Sequence, residues 1–428
     1  MKIKIRRVLL CLAIIVSIVV FARDNSSGIN TNDEEAAARI NIWLEHLQSE
    51  SQNIERISEM ENREIHFGDV SMRFTYFVRG TAPDDGFPLF IALHGGGATP
   101  VNESQYRMMM IYYQRSVQNG IYVAVRAVRD TWDCHFNPES YPIYDRLIEN
   151  MIIFRNVDPN RVYLMGFSAG GDGIYGITPR MADRFAAVCM SAGHHNNVNP
   201  INLKNTPILL QCGDGDRAYN RNVETVQFGV KLADLQQHWT GYEHQVNIHV
   251  NKGHNFADND SARRKQQVWS NPVQWMLSQN SDISEINTNA VDFLQQYTRN
   301  PLPQSIMWDL STRAPLRDVE SFYWLRAPKN MTEGRIFASL HKPGNSITIN
   351  TKNIVDSFDV LLNRTMLNFD EPITVTVNDS TTIHRITSSK DFISETTKER
   401  GDFNFQFSAK IRIEPCSQIL IPKPNQYR

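Results

Sequence analysis

The stretch Arg161-Val162-Tyr163-Leu164-Met165-Gly166-Phe167-Ser168-Ala169-Gly170-Gly171 constrains the chain more than any other. An apolar, β-prone run enters a G-x-S-x-G pentapeptide, and further glycine follows. Such a serine sits on a sharp, strained strand-to-helix turn. Small residues are needed two before and two after it, because strand and helix nearly touch there. The hydroxyl is pushed out above the sheet, within reach of a histidine and a substrate. By composition alone a chain this long holds roughly 0.1–0.2 such matches, so context has to decide.

Three further segments agree. Phe90-Ile91-Ala92-Leu93 is an apolar run ending in His94-Gly95-Gly96-Gly97, a glycine-rich loop able to bring backbone N–H groups against a developing oxyanion. Pro207 to Cys212 reads as a buried strand and ends in Gly213-Asp214-Gly215-Asp216. Gln245 to Val250 alternates like a strand and runs into Asn251-Lys252-Gly253-His254. The order Ser, Asp, His is that of an α/β-hydrolase triad.

On these motifs, together with Val157-Asp158-Pro159-Asn160 before the elbow strand, the region from about Ile65 to Trp275 resembles an α/β-hydrolase of the esterase and polyester-depolymerase type. The resemblance covers about half the chain and is specific for the superfamily, much less so for the substrate. It implies Ser168 as nucleophile, His254 as base and Asp216 as the third member. It also implies an oxyanion site built from the Ala169 N–H and an N–H of Gly95 or Gly96. Asp214 is the alternative acid, and His249 the rival histidine, although strand alternation fixes His249 on one sheet face. His94 is expected to shape the oxyanion loop. The pair His194-His195 and the residues Arg129, Trp132 and His135 are candidates for the pocket rim.

At 428 residues with net charge −2, the chain has room for two domains, and no basic surface points to nucleic acid. The first seven residues are basic and Val8–Phe21 is apolar, the pattern of a signal peptide ending near Ala22. A secreted or periplasmic protein follows, with no stable membrane insertion after cleavage; an uncleaved N-terminal anchor is the alternative. Of the five cysteines, Cys11 lies in that segment. Cys189 and Cys212 fall in core strands and read as buried thiols, not a disulfide framework. No C-x-x-C, H-E-x-x-H or phosphate loop is present, so neither metal nor other cofactor is expected.

Residues 23–64 carry a helical segment opened by Asp33-Glu34-Glu35, with Ile40, Trp43, Leu44 and Leu47 at helical spacing. Residues 65–300 alternate strands with helices, which argues a mainly parallel sheet with helices on both faces. The helices are expected over 104–118, 143–154 and 223–237. Pro301-Leu302-Pro303 reads as a hinge, and residues 301–428 as a β-sandwich without a long helix. There Trp308, Tyr323 and Trp324 are candidate rings for a sugar face, although each taken alone reads more readily as core, since Phe322 and Trp324 alternate with Tyr323 and one of the two faces must be core. The tail is expected to bind or gate substrate while leaving bond cleavage to residues before Asn300.

These features point to a serine hydrolase of carboxylic esters, acting on an acylated polysaccharide or a polyester. A serine peptidase of the prolyl-oligopeptidase type shares the triad. A binding protein that keeps the fold without activity is the third possibility, against which the intact triad argues.

Overall fold

The computed structural model describes residues 34–97, 101–260 and 264–415. The expected signal peptide, Ala98, Arg263 and Cys416 lie outside them. Ten strands form the central sheet: β1 (Glu64–Phe67), β2 (Val70–Arg79), β3 (Phe87–Leu93), β4 (Gly120–Val125), β5 (Val157–Phe167), β6 (Ala187–Ser191), β7 (Ile208–Gly213), β8 (His244–His249), β9 (Lys265–Trp269) and β10 (Ile283–Asn287). Their spatial order is β1-β2-β4-β3-β5-β6-β7-β8-β9-β10. From β4 to β8 every neighbouring pair is parallel; β1, β2, β9 and β10 add antiparallel edges. The central strands are covered on both faces and read as unbroken apolar runs, as in Leu89–Leu93 and Ile121–Val125.

The helices fit the βαβ pattern with shifted limits. The longer ones are α1 (Glu34–Ser51), α2 (Ile54–Asn62), α3 (Val101–Tyr112), α4 (Ser140–Arg155), α5 (Ala169–Met181) and α6 (Arg221–His238), with short helices at Pro272–Ser278 and Ala290–Leu294. Helix α3 begins and ends earlier than the periodicity suggests. The turn after it lets Tyr112 and Tyr113 both reach Asp258. Val157–Asn160 does not precede the elbow strand but is part of β5. It loops out between the pairs Phe87–Val157 and Leu89–Val162. Asp158 ties it down, accepting from the Asn160 N–H and pairing with Arg161.

Beyond residue 300 lie two further sheets. Five strands run in the order Ser305–Asp309, Arg335–His341, Ser346–Lys352, Ile373–Val377, Ser380–His384. Four shorter ones run Ser321–Phe322, Leu325–Arg326, Phe358–Leu362, Ala409–Ile413. Inward residues of both, such as Ile336, Ile349, Val360 and Ile411, share one apolar core.

Three expectations for this region need correction. A helix, Lys390–Arg400, lies between the strands, capped by the Ser389 side chain and ended by left-handed Gly401. Pro301-Leu302-Pro303 is pinned: buried Arg299 pairs with Asp402 at 2.7 Å, and the Trp324 indole N–H donates to the Pro303 carbonyl. The proline pair ends one element without loosening the next. Finally, Trp308, Tyr323 and Trp324 are all buried, and present no ring to a ligand. Their apolar area belongs to a core that also includes Trp43 of α1 and Leu89 of β3. Among the described residues no helix is long and apolar enough to cross a membrane.

Candidate active site

Strand β5 delivers Ser168 and helix α5 leaves from it. Ser168 has φ 60° and ψ −122°, a conformation costly for any residue with a Cβ. The glycines permit the turn: a Cβ on Gly166 would sit 2.2 Å from the Gly170 carbonyl oxygen, and one on Gly170 would sit 2.2 Å from that of Leu93. The Ser168 N–H donates to the Ser191 carbonyl at 2.9 Å, which fixes the elbow to β6.

The loops after β7 and β8 meet beside it. Their backbones touch so closely that a Cβ on Gly213 would lie 2.1 Å from the Gly253 carbonyl oxygen. His254 Nε2 is 2.9 Å from Ser168 Oγ, and its Nδ1 is 2.7 Å from Asp216 Oδ2. An ionised Asp216 accepts only, so the network assigns the ring proton to Nδ1 and leaves Nε2 to accept the serine proton. Asp216 is buried, with Arg221 Nη1 3.7 Å from its other oxygen.

Asp214 lies in the same loop but faces elsewhere. It accepts from the backbone N–H groups of Asn251 and Lys252 and from the Trp269 indole. It therefore holds the histidine loop, and the two candidate acids separate by geometry. His249 is buried in β8 against Phe256, with Nε2 3.2 Å from the Gln211 side-chain oxygen. Burial holds its pKa down to about 3, and it makes no contact with Ser168.

The glycine loop after β3 lies against the serine: a Cβ on Gly95 would be 3.2 Å from that of Ser168. Gly96 and Gly97 have φ of 115° and 118°, which favour glycine. Buried His94 braces this loop. Its Nδ1–H donates to the Gly95 carbonyl, and its Nε2 accepts from the Ala127 N–H. Burial lowers its pKa to about 4, so it stays neutral as this arrangement requires. His135 is also fully buried; its Nε2–H donates to the His94 carbonyl, so it is a support rather than a rim residue. Ala169 follows the serine at the first turn of α5, packed with Ala127 and Cys134.

Of the other rim candidates, Arg129 pairs with Glu139 and Trp132 projects to solvent. The backbone N–H of His194 donates to Asp172, and the His195 ring pairs with Glu224. Among the described residues no three His, Cys, Asp or Glu side chains converge as a metal site would need.

Two supports escape sequence reasoning. Asn102 accepts from the Gly97 N–H at 2.6 Å and donates to Asp130. Buried Asp258, four residues past His254, accepts hydroxyls from Tyr112, Tyr113 and Ser191. Burial raises its pKa. Local composition gives neither away.

Residues 111–280 match the model of the Dienelactone hydrolase family, and this span contains Ser168, Asp216 and His254. No curated protein matches the chain. Among solved structures, esterase PE8 is 20% identical over 44% of this chain and 93% of its own, with a TM-score of 0.34. LpqC, a poly(3-hydroxybutyrate) depolymerase from Bordetella parapertussis, is 16% identical over 44% and 80%, with a TM-score of 0.34. The acylaminoacyl peptidase of Pyrococcus horikoshii is 14% identical over 45% and 37%, again with a TM-score of 0.34. The sheet order above and the family match agree on an α/β-hydrolase fold for this part of the chain.

Proposed function

We propose that the chain is a secreted serine hydrolase of carboxylic esters, with Ser168, His254 and Asp216 as its triad. The observation that carries this is the continuous hydrogen-bonded path from Asp216 through His254 to Ser168. His254 Nε2 takes the serine proton as Oγ bonds to the carbonyl carbon. Asp216 fixes the tautomer and stabilises the imidazolium. The carbonyl oxygen becomes an oxyanion held by the N–H groups of Ala169 and of Gly95 or Gly96, each donor worth ~3–4 kcal/mol. The tetrahedral adduct collapses, the alcohol leaves with the proton from His254, and an acyl-serine remains. Water then repeats the sequence with His254 as base, and the acid is released. Export rests on the basic and apolar pattern of residues 1–22.

A fluorophosphonate probe tests the nucleophile. The wild type should be labelled at Ser168 and the Ser168→Ala variant should not, with hydrolysis lost alongside. Persistent labelling of the variant assigns the chemistry to another serine. A series of p-nitrophenyl esters run beside peptide anilides separates esterase from peptidase, since turnover of the anilides alone would reject the ester reading.

A further inference from the structure

With Trp308, Tyr323 and Trp324 buried, the most exposed tryptophan and tyrosine of the described residues lie in the hydrolase loops. Trp132 is 60% exposed and Tyr219 is 74% exposed. Trp132 lies in the loop after β4, its backbone against the oxyanion loop: a Cβ on Gly97 would be 3.2 Å from the Trp132 Cα. Tyr219 lies three residues past Asp216, at φ 55° and ψ 22°. A bulky side chain in the left-handed region is a strained outlier, held here by its neighbour. The Arg221 guanidinium sits 4.8 Å from the Tyr219 ring centroid, and the same side chain reaches toward Asp216. One face of the ring is thereby fixed.

The sheet order sets the spacing. Trp132 follows β4, Ser168 follows β5 and Tyr219 follows β7, with the order β4-β3-β5-β6-β7 between them. The serine is two strands from each. At the usual strand separation the two ring-bearing loops are roughly 15–20 Å apart, on the edge where open α/β sheets bind ligands. A small acyl group cannot touch both rings. A chain lying across the serine can.

The surroundings of each ring are polar: Asp130 and Thr131 beside Trp132, Arg217 and Asn220 beside Tyr219, all exposed. An aliphatic polymer would want a continuous apolar trough. A single exposed ring within a polar loop, as Trp132 is with only the less exposed Phe136 ring at its edge, suits a unit with one C–H face and several hydroxyls. Resting on the ester-hydrolase reading above, we propose that Trp132 and Tyr219 are two stacking platforms for an acylated polysaccharide, whose pyranose units lie on both sides of the residue being deacylated. The acyl group passes from the sugar oxygen to Ser168 Oγ, the sugar hydroxyl leaves with the proton from His254, and water releases the acid.

The test uses the full chain with acetylated oligosaccharides of increasing length and with p-nitrophenyl acetate. For the wild type, kcat/KM on the oligosaccharides should climb with length until both rings are covered. Trp132→Ala and Tyr219→Ala should each raise KM about tenfold on long oligosaccharides and change p-nitrophenyl acetate hydrolysis less than twofold. In Ser168→Ala, long oligosaccharides should still quench tryptophan fluorescence, and Trp132→Ala should weaken that binding. Absence of length dependence, or equal losses on both substrates, overturns the platforms. Hydrolysis of p-nitrophenyl acetate or of a polyester film without any action on acetylated oligosaccharides rejects the sugar assignment and leaves the esterase standing. Failure of Ser168 to take the fluorophosphonate label rejects the reading beneath both.

Discussion

Arg400, at the end of the helix over Lys390–Arg400, lies 2.8 Å from Asp183 in the short turn after α5, and both side chains are sealed from solvent. The pair belongs to a larger network. Arg317 and Arg184 converge on Asp145 of α4, Arg299 pairs with Asp402, and Arg56 of α2 reaches Glu149. Burial alone would raise the Asp145 carboxyl. The arginines outweigh it and hold the group below the ordinary carboxylate range. Near the start of α1, Glu35 accepts hydrogen bonds from the Arg364 backbone N–H and the Ser408 hydroxyl, both beyond residue 300. Part of the network crosses residue 300: Arg400, Arg317 and Asp402 neutralise Asp183, Asp145 and Arg299 of the preceding region.

Truncation after Asn300 should therefore fail to give a soluble, active protein. This reverses the separation that the sequence suggests. Asp183 would lose Arg400 and Asp145 would lose Arg317, and removing one partner of a buried pair typically costs about 3–5 kcal/mol. Arg400→Met in the full chain should lower stability by a similar amount in urea titration. A truncated chain that folds cooperatively and hydrolyses a small ester would show the network to be dispensable.

The two acidic residues of the loop after β7 should respond differently. Asp216→Asn leaves the shape intact but removes the group that sets the His254 tautomer, and kcat should fall by about 10⁴-fold. Asp214→Asn loosens the Asn251–Lys252 turn and the Trp269 contact. It should lower Tm while keeping most of kcat. Steady-state kinetics and thermal melts on both variants decide this; equal losses of kcat would contradict the geometry.

Asp258→Leu tests the brace behind the histidine loop. Tyr112, Tyr113 and Ser191 would each lose an acceptor, and a buried hydroxyl left unpaired costs about 1–3 kcal/mol. Ser191 also holds the Ser168 N–H through its carbonyl, so both sides of the triad should loosen. A sharp drop in Tm together with reduced kcat is expected. Unchanged stability would mean that the three hydroxyls find water instead.

The features legible in the sequence are those with a local cause. The elbow glycines, the left-handed glycines after His94 and the Gly213–Gly253 approach each reflect a backbone contact that only a missing Cβ allows. The chain order of Ser168, Asp216 and His254 follows from parallel strands. Choosing Asp216 over Asp214 required the direction of two side chains in one loop. The helix over Lys390–Arg400 carried ordinary signals, with Ser389 at its cap, Asp391 in its first turn and Gly401 after its end. The β-prone runs around it masked them. Burial of Trp308 and Trp324 was hidden for another reason: their partners come from distant segments, and alternation within one strand does not say whether its second face is covered. The arginine network is likewise assembled from residues 56 to 402, and its arginines look like surface charges when taken singly.

Acidification should destabilise the fold through its buried histidines, and His249 isolates the effect. Burial lowers the folded pKa of His94 to about 4 and of His249 to about 3, and pushes those of His135 and His195 down as well. In the unfolded chain each returns to an ordinary value near ~6.5. Between the folded and unfolded values the unfolded chain binds more protons. The stabilisation is therefore complete above the unfolded pKa and is lost as pH falls toward the folded one, by up to about 1.4 kcal/mol per pH unit for each histidine. Asp258 and Asp172 act in the opposite sense, since burial raises their pKa values, so the comparison must be between variants. His249→Gln removes one titrating group while keeping a polar side chain beside Gln211. Its urea-derived stability should decline less steeply than that of the wild type between pH 7 and pH 5. Parallel curves would show that His249 takes up no proton on unfolding.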